Sequence, residues 1–172
     1  MACEFFLNKK YAWVWLLVRL YLGYEWLSAG ISKITSNLWV GSDAGTAVTG
    51  FLNGALQKTG GQHPDVSAWY AWFIDNVALP NSVLFSYLVA FGEVAVGLAL
   101  IFGLYVGVAA AFGAFMNINY LWAGVASINT TMLLLEIGVV LAYKTAGWYG
   151  LDRLVLPKFG QPWEWFKNKT NT

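Results

Sequence analysis

The sequence predicts an all-α integral membrane protein: a four-helix bundle with a long extracytoplasmic loop between the first and second spans, the loop carrying short interfacial helices. Three observations predict it. The 172 residues are 58% hydrophobic and only 11% charged, whereas soluble domains carry about a quarter charged residues, so there is too little charge here to cover a water-facing surface. Four long apolar stretches run along the chain, and about 20 such residues cross a bilayer as a helix. Each stretch also holds polar residues in its interior: Arg19 and Glu25 in the first, Glu93 in the second, Asn117 and Asn119 in the third, Glu136 in the fourth. One bundle accounts for nearly the whole length, so 1–172 reads as a single domain.

The first span covers 11–34. Residues 1–10 lead directly into it, without the short h-region and small-residue cleavage site of a signal peptide, so anchored insertion is expected. Residues 35–80 are polar and Gly-rich and form the outer loop. Within it, Thr46 to Lys58 is expected to be a short helix and Gly60 to Pro64 a turn. Asp65 to Val77 places Trp69, Trp72 and Phe73 at the spacing of a helix lying in the membrane interface. Pro80 opens the second span, 81–102, where its missing N–H costs nothing.

The third span covers 104–125 and the fourth 128–149. The turns at Gly103 and at Gly124 to Ser127 are short enough to make spans two to four antiparallel neighbours. Gly103, Gly107 and Ala111 form a small-xxx-small series suited to close helix packing. Lys9 and Lys10 flank the first span, and Arg153, Lys158, Lys167 and Lys169 follow the fourth, while the loop side offers only Lys33 and Lys58 against three Asp. The positive-inside rule then places both termini and the tail 150–172 in the cytoplasm, with the chain multi-pass in the plasma membrane.

Composition narrows the chemistry. A net charge of +1 without a basic run implies no nucleic-acid partner. Cys3 and His63 are each alone, which excludes an internal disulfide, a Cys-x-x-Cys redox pair and a bis-histidine haem. No metal-ligand cluster is visible and no metal or haem is expected. Redox chemistry here needs a diffusible cofactor or a partner protein. A four-span disulfide-generating quinone reductase fails for want of a Cys pair, and the sequons at Asn129 and Asn168 are accidental. Trp13, Trp15, Trp39, Trp69, Trp72, Trp148, Trp163 and Trp165 suit an interface belt. Trp26 and Trp122 lie nearer the polar span residues.

A charge at the centre of a bilayer helix costs roughly 2.5–3.5 kcal/mol on insertion scales, so these side chains are expected to face the bundle interior. Depth follows from the rise of about 1.5 Å per residue. Arg19 lies eight residues beyond Tyr11 and Glu93 nine before Phe102, which predicts a buried Arg19–Glu93 pair as an inner layer. Glu25, Asn119 and Glu136 form an outer layer, with Lys33 above them at the mouth. Arg19, Gly23, Trp26, Gly30 and Lys33 make one stripe of the first helix, and Tyr21, Glu25, Ser28 and Ser32 a second. A quinone needs donors to two carbonyl oxygens, an aromatic wall and a proton source, and Arg19, Asn119, Trp26, Tyr120 and a Glu would meet that need. The same cations would equally hold a small oxyanion.

The run Arg19-Leu-Tyr-Leu-Gly23-Tyr-Glu-Trp26-Leu-Ser-Ala-Gly30-Ile-Ser-Lys33 resembles the first-helix signature of the DoxX/DoxD membrane proteins. The Gly92-Glu93 segment, entering a turn at Gly103, is similar to that family's second span, and Trp69-Tyr-Ala-Trp-Phe ahead of Leu79-Pro-Asn81 fits its longer members. The resemblance, from about Trp15 to Pro157, implies four membrane helices and the large subunit of a thiosulfate:quinone oxidoreductase, which oxidises thiosulfate to tetrathionate and reduces membrane quinone beside a small redox partner subunit. On that reading Arg19, Glu25, Glu93 and Glu136 are the catalytic candidates. Trp26, Lys33, Asn117, Asn119, Tyr120 and Trp122 are the quinone- or substrate-binding ones, with Lys33 drawing in thiosulfate. The alternative is a non-enzymatic anchor or scaffold for a redox or oxidative-stress complex, in which buried charges serve fold specificity. A small transporter or proton pathway comes third, because no span is visibly broken.

Overall fold

Every regular element in residues 2–160, which the computed structural model describes, is helical. Helix α1 (Ala2–Leu7) leads through a single 3₁₀ turn into α2 (Ala12–Ile34). Two loop helices follow, α3 (Thr46–Leu56) and α4 (Ala68–Phe73), the latter running on into a π turn at Ile74–Ala78. Helices α5 (Ser82–Phe102), α6 (Val106–Trp122) and α7 (Ser127–Leu141) come next, and α8 (Asp152–Phe159) closes the described chain. Trp163, Trp165, Lys167, Asn168 and Lys169 lie outside the described residues.

Helix α5 alone among the described helices has both the length and the apolarity to cross a membrane by those criteria; α6 and α7 are apolar but shorter. The sequence expectation for α2 and α5 differs from the structure by a single residue at their starts. For 104–125 and 128–149 it was too long. Gly103 and Tyr105 take left-handed backbone before α6, and Gly124 (φ 75°) turns the chain after it. Beyond Leu141 the chain passes into successive turns up to Tyr149. That segment contains Gly147 and is followed by Gly150, both poor helix formers, and the chain swings back so that the N–H groups of Leu151 and Asp152 donate to the Phe102 and Gly103 carbonyls.

Helix α2 packs along α5 and also on α7, and α6 packs on α7. Helices α5 and α6, although joined by a short turn, touch much less than α2 with α5 or α6 with α7. A core of Trp15, Leu22, Trp26, Val96, Leu100, Val106, Met132 and Val139 fills the centre. Trp15 belongs to it rather than to an interface belt: it is 5% exposed, with Phe5 and Phe6 of α1 against its ring. The belt expectation suits Trp13, Trp69 and Trp72, which are more than half exposed.

Close approach of α2 and α5 rests on glycines that the small-xxx-small reading did not single out. A Cβ on Gly97 would lie 2.6 Å from the Leu27 nitrogen, and one on Gly30 would lie 2.7 Å from the Val94 nitrogen. These contacts also set the register, with Gly23 against Ile101, Leu27 against Gly97, and Gly30 against Glu93 and Val94. Arg19 therefore falls beyond the end of α5, and Glu93 falls beside Gly30, one turn from Lys33. The expected Arg19–Glu93 pair is absent. Depth counting assumed that α2 and α5 end at one level, whereas the register leaves α2 overrunning α5 by nearly three turns, which α1 and the 142–149 turns cover.

The loop helices build a core of their own. Val48, Leu52, Val66, Tyr70 and Ile74 pack with Ala123 at the end of α6, and Phe51, Phe73 and Phe85 lean on them. Lys58 ties this layer down by donating to the Gly124 carbonyl at 2.8 Å. The loop is thus a packed roof over one end of the long helices, more than a pair of helices lying in an interface.

Candidate functional site

Under that roof lies a cavity of about 980 Å³, at the upper end of the roughly 300–1,000 Å³ typical of small-molecule sites. Its walls come from α2, α5, α6 and α7, with α3 and α4 above, and are predominantly apolar. Glu25, Trp26, Lys33, Glu93, Asn119 and Tyr120, all marked out by the sequence, line it. Trp122, Asn117, Glu136 and Arg19 do not appear on its wall.

Its most polar point joins three helices. The Lys33 ammonium meets Glu93 Oε2 at 2.7 Å, and the Tyr120 hydroxyl donates to Glu93 Oε1 at 2.8 Å. The Glu93 side chain is 2% exposed and that of Lys33 18%. A buried carboxylate is costly unless both its oxygens are satisfied, and here a cation and a phenol satisfy them. Lys33 also lies over the Trp39 ring, 5.0 Å from its centroid, a cation–π contact that holds the ammonium at the cavity wall. An ammonium has three donors, so with Glu93 using one, Lys33 can still donate to an oxygen in the cavity.

A second polar cluster stands behind the wall. Glu136, fully buried, accepts from the Trp26 indole N–H at 2.6 Å and from the Asn117 amide at 2.8 Å. Both of these partners are neutral, and Trp26 also lines the cavity. Gly113 makes room for it, because a Cβ there would sit 2.5 Å from Glu136 Oε1. Asn117 Oδ1 is buried without a hydrogen-bond partner. Glu25 is half-buried on the cavity wall and has no polar partner among the described residues.

The outer layer imagined from depth thus divides. Asn119 is not with Glu136 but beneath the roof, where the Tyr70 hydroxyl donates to its backbone and side-chain carbonyls at 3.1 and 3.2 Å. Burial pushes the Tyr70 phenol up to about 12, so it stays a donor at any ordinary pH. Trp122 is 43% exposed and packs on Trp69 and Tyr70, which makes it part of the roof's support.

Arg19 stands apart at the opposite end. Its guanidinium donates to the Leu100 and Ile101 carbonyls at 2.6 and 2.9 Å and to the Tyr149 carbonyl at 2.7 Å. Two of these carbonyls belong to the last turn of α5, where the helix's own N–H donors have run out, and the third to the 142–149 turns. Nearby, Asp152 accepts from the Tyr105 and Val106 N–H groups at 2.5 and 3.0 Å, a carboxylate at the positive start of α6. Burial pushes the Asp152 carboxyl above its ordinary value, against the pull of those N–H groups and of Arg19. Arg19 and Asp152 clasp helix ends; neither lines the cavity.

The sequence reading missed Tyr70 and Asp152. Asp152 carried a signal: an acidic residue at the head of a helix, one turn after the paired glycines of 147–150. Tyr70 carried none, because its neighbours Trp69 and Trp72 are more conspicuous and face outward.

A family model described as "TQO small subunit DoxD" matches residues 14–170. No curated protein and no solved structure matches the chain.

Proposed function

The chain belongs to the DoxD family, and from that premise we propose that it is the membrane subunit of a thiosulfate:quinone oxidoreductase, holding the quinone in the cavity against Lys33, Glu93 and Tyr120. The family is described as the small subunit, which corrects the sequence expectation of the large one. The partner is then another subunit of the same complex.

Helices α2, α5, α6 and α7 cross the plasma membrane as a four-helix bundle, with the roof outside and both termini in the cytoplasm. Supporting this, large apolar side chains stand exposed along all four: Leu17 and Ile31, Leu84 and Phe91, Phe112 and Phe115, Leu134 and Ile137. The 17 residues of α6 and 15 of α7 rise about 26 and 23 Å, short of a core of about 30 Å; the flanking turns and the roof occupy the difference.

The reaction joins the oxidation of two thiosulfates to tetrathionate, which releases two electrons, to the reduction of one quinone to quinol, which takes up two electrons and two protons. Sulfur chemistry falls to the partner, because Glu93 neutralises Lys33 and leaves it little pull on a dianion. At the quinone, the Lys33 ammonium faces the negative charge that develops on the carbonyl oxygen, a stabilisation that a low-dielectric site strengthens. Tyr120 and Lys33, both bonded to Glu93, form a unit that can pass a proton to that oxygen and recover it through the carboxylate. Glu25, on the cavity wall, is the proton carrier toward the second oxygen; Glu136 fixes the Trp26 ring, whose indole N–H only donates and relays no proton.

The observation that carries this reading is the ion pair and phenol concentrated on one wall of an otherwise apolar cavity. Its test is thiosulfate-dependent reduction of a quinone analogue by the assembled complex in membranes. Glu93→Gln and Lys33→Met are expected to slow turnover by about 100-fold or more, the usual scale for acid–base and charge-stabilising groups, while the complex still assembles. Wild-type rates in both variants would instead favour the anchor reading.

A further inference from the structure

The cavity is not a closed chamber. Helices α5 and α6 are joined at the Gly103 turn but touch far less than α2 with α5 or α6 with α7, and residues of both line the cavity from Leu104 and Tyr105 up to the polar wall. Residues that line it are at the same time exposed on the outer face of the molecule: Leu88 at 58%, Phe112 at 62% and Phe115 at 61%. On α5 the edge of the gap is built from small side chains, Gly92, Ala95 and Ala99, so the opening is a slot along the helix pair rather than a hole at one end. On α5 and α6 no charged residue lines the slot below Glu93; Glu25 of α2 is the charged group on the facing wall.

Resting on the quinone reading above, we propose that this slot is a side portal and tail-binding subsite: an amphiphile with a redox headgroup and a long unbranched-width hydrocarbon tail enters sideways from the bilayer between α5 and α6. Its head stops at Lys33, Glu93 and Tyr120. Its tail lies in the slot, against Ala95 and Val108, and emerges into lipid. The roof explains why access is lateral. Phe51, Tyr70 and Phe73 cover the cavity from the loop side, and Lys58 holds that cover to Gly124, so a water-soluble ligand has no direct approach from above. The slot is the apolar approach, and every 0.8 kcal/mol or so of buried methylene favours a tailed ligand over a tailless one.

Two measurements test this. In the assembled complex, Ala95→Trp and Val108→Trp fill the slot without touching the polar wall. Each is expected to raise KM for a decyl-tailed benzoquinone about tenfold and to leave KM for tetramethylbenzoquinone, which has no tail, within twofold. Equal effects on both quinones, or none on either, would overturn the subsite. Independently of turnover, a quinone carrying a diazirine in its tail is expected to label α5 and α6 at the slot, with labelling displaced by unmodified decyl-benzoquinone. Labelling elsewhere, or displacement by phospholipid alone, would mean that an acyl chain fills the slot and would sink the proposal. Labelling at the slot in a complex that reduces no quinone would sink the redox reading and leave the portal standing.

Discussion

Replacing Arg19 with Met is expected to destabilise the protein by roughly 3–5 kcal/mol, the scale for removing one side of a buried charged network. The side chain is 2% exposed and makes three hydrogen bonds to carbonyls on two segments. Bonds from a charged donor contribute roughly 1.5–3 kcal/mol each, and without it those carbonyls are left in a dry interior. Total stabilities run about 5–15 kcal/mol, so the loss would approach half of the whole. Arg19→Lys should recover only part of it, because a single ammonium cannot fork across α5 and the 142–149 turns as a guanidinium does. Thermal unfolding of the protein in lipid nanodiscs checks this. A Met variant that unfolds with the wild type would disprove the clasp. The surviving folded fraction should keep a wild-type KM for tetramethylbenzoquinone, because Arg19 does not line the cavity and stands at the opposite end of α2 from Lys33.

That separation between clasp and site could not be read from depth alone. The sequence marks Arg19 and Glu93 as interior groups, since apolar helices leave charged residues nowhere else to go, and both are buried; it places Lys33 at the mouth. It does not say which of two cations takes Glu93. That choice depends on the offset between α2 and α5, which the glycine contacts fix: Gly30 seats against Glu93 and brings Lys33 within reach. The stripe of Arg19, Gly23, Trp26, Gly30 and Lys33 already held the information that this face meets α5, but not the register. The ends of α2 and α5 were legible because polar residues and Pro80 bound them. Those of α6 and α7 were not, because apolar residues continue past the last helical turn, and the left-handed Tyr105, capped from afar by Asp152, carries no breaker signal in the sequence.

The same register makes Gly97→Leu the most disruptive change within the described helices. Its Cβ would stand 2.6 Å from the Leu27 nitrogen and 2.8 Å from the Leu27 Cα, and both of those are backbone atoms that no rotamer change can move. Ordinary overpacking costs about 1–3 kcal/mol because side chains give way; here the two helices must separate, so the cost should exceed that range. Gly97→Ala, bearing only the Cβ, should show an intermediate loss. Separation also pulls Lys33 from Glu93, so unlike Arg19→Met the variant should lose quinone affinity in whatever fraction remains folded. Gly50→Ala serves as the contrasting change: nothing lies within 4 Å of its Cβ site in α3, and removing a helical glycine should add up to about 1 kcal/mol. The measurement is denaturation of the three variants beside wild type in one lipid system, with quinone titration of each. If Gly97→Leu keeps both wild-type stability and wild-type quinone affinity, the α2–α5 contact is not what sets the ion pair, and the register argument for the site fails with it.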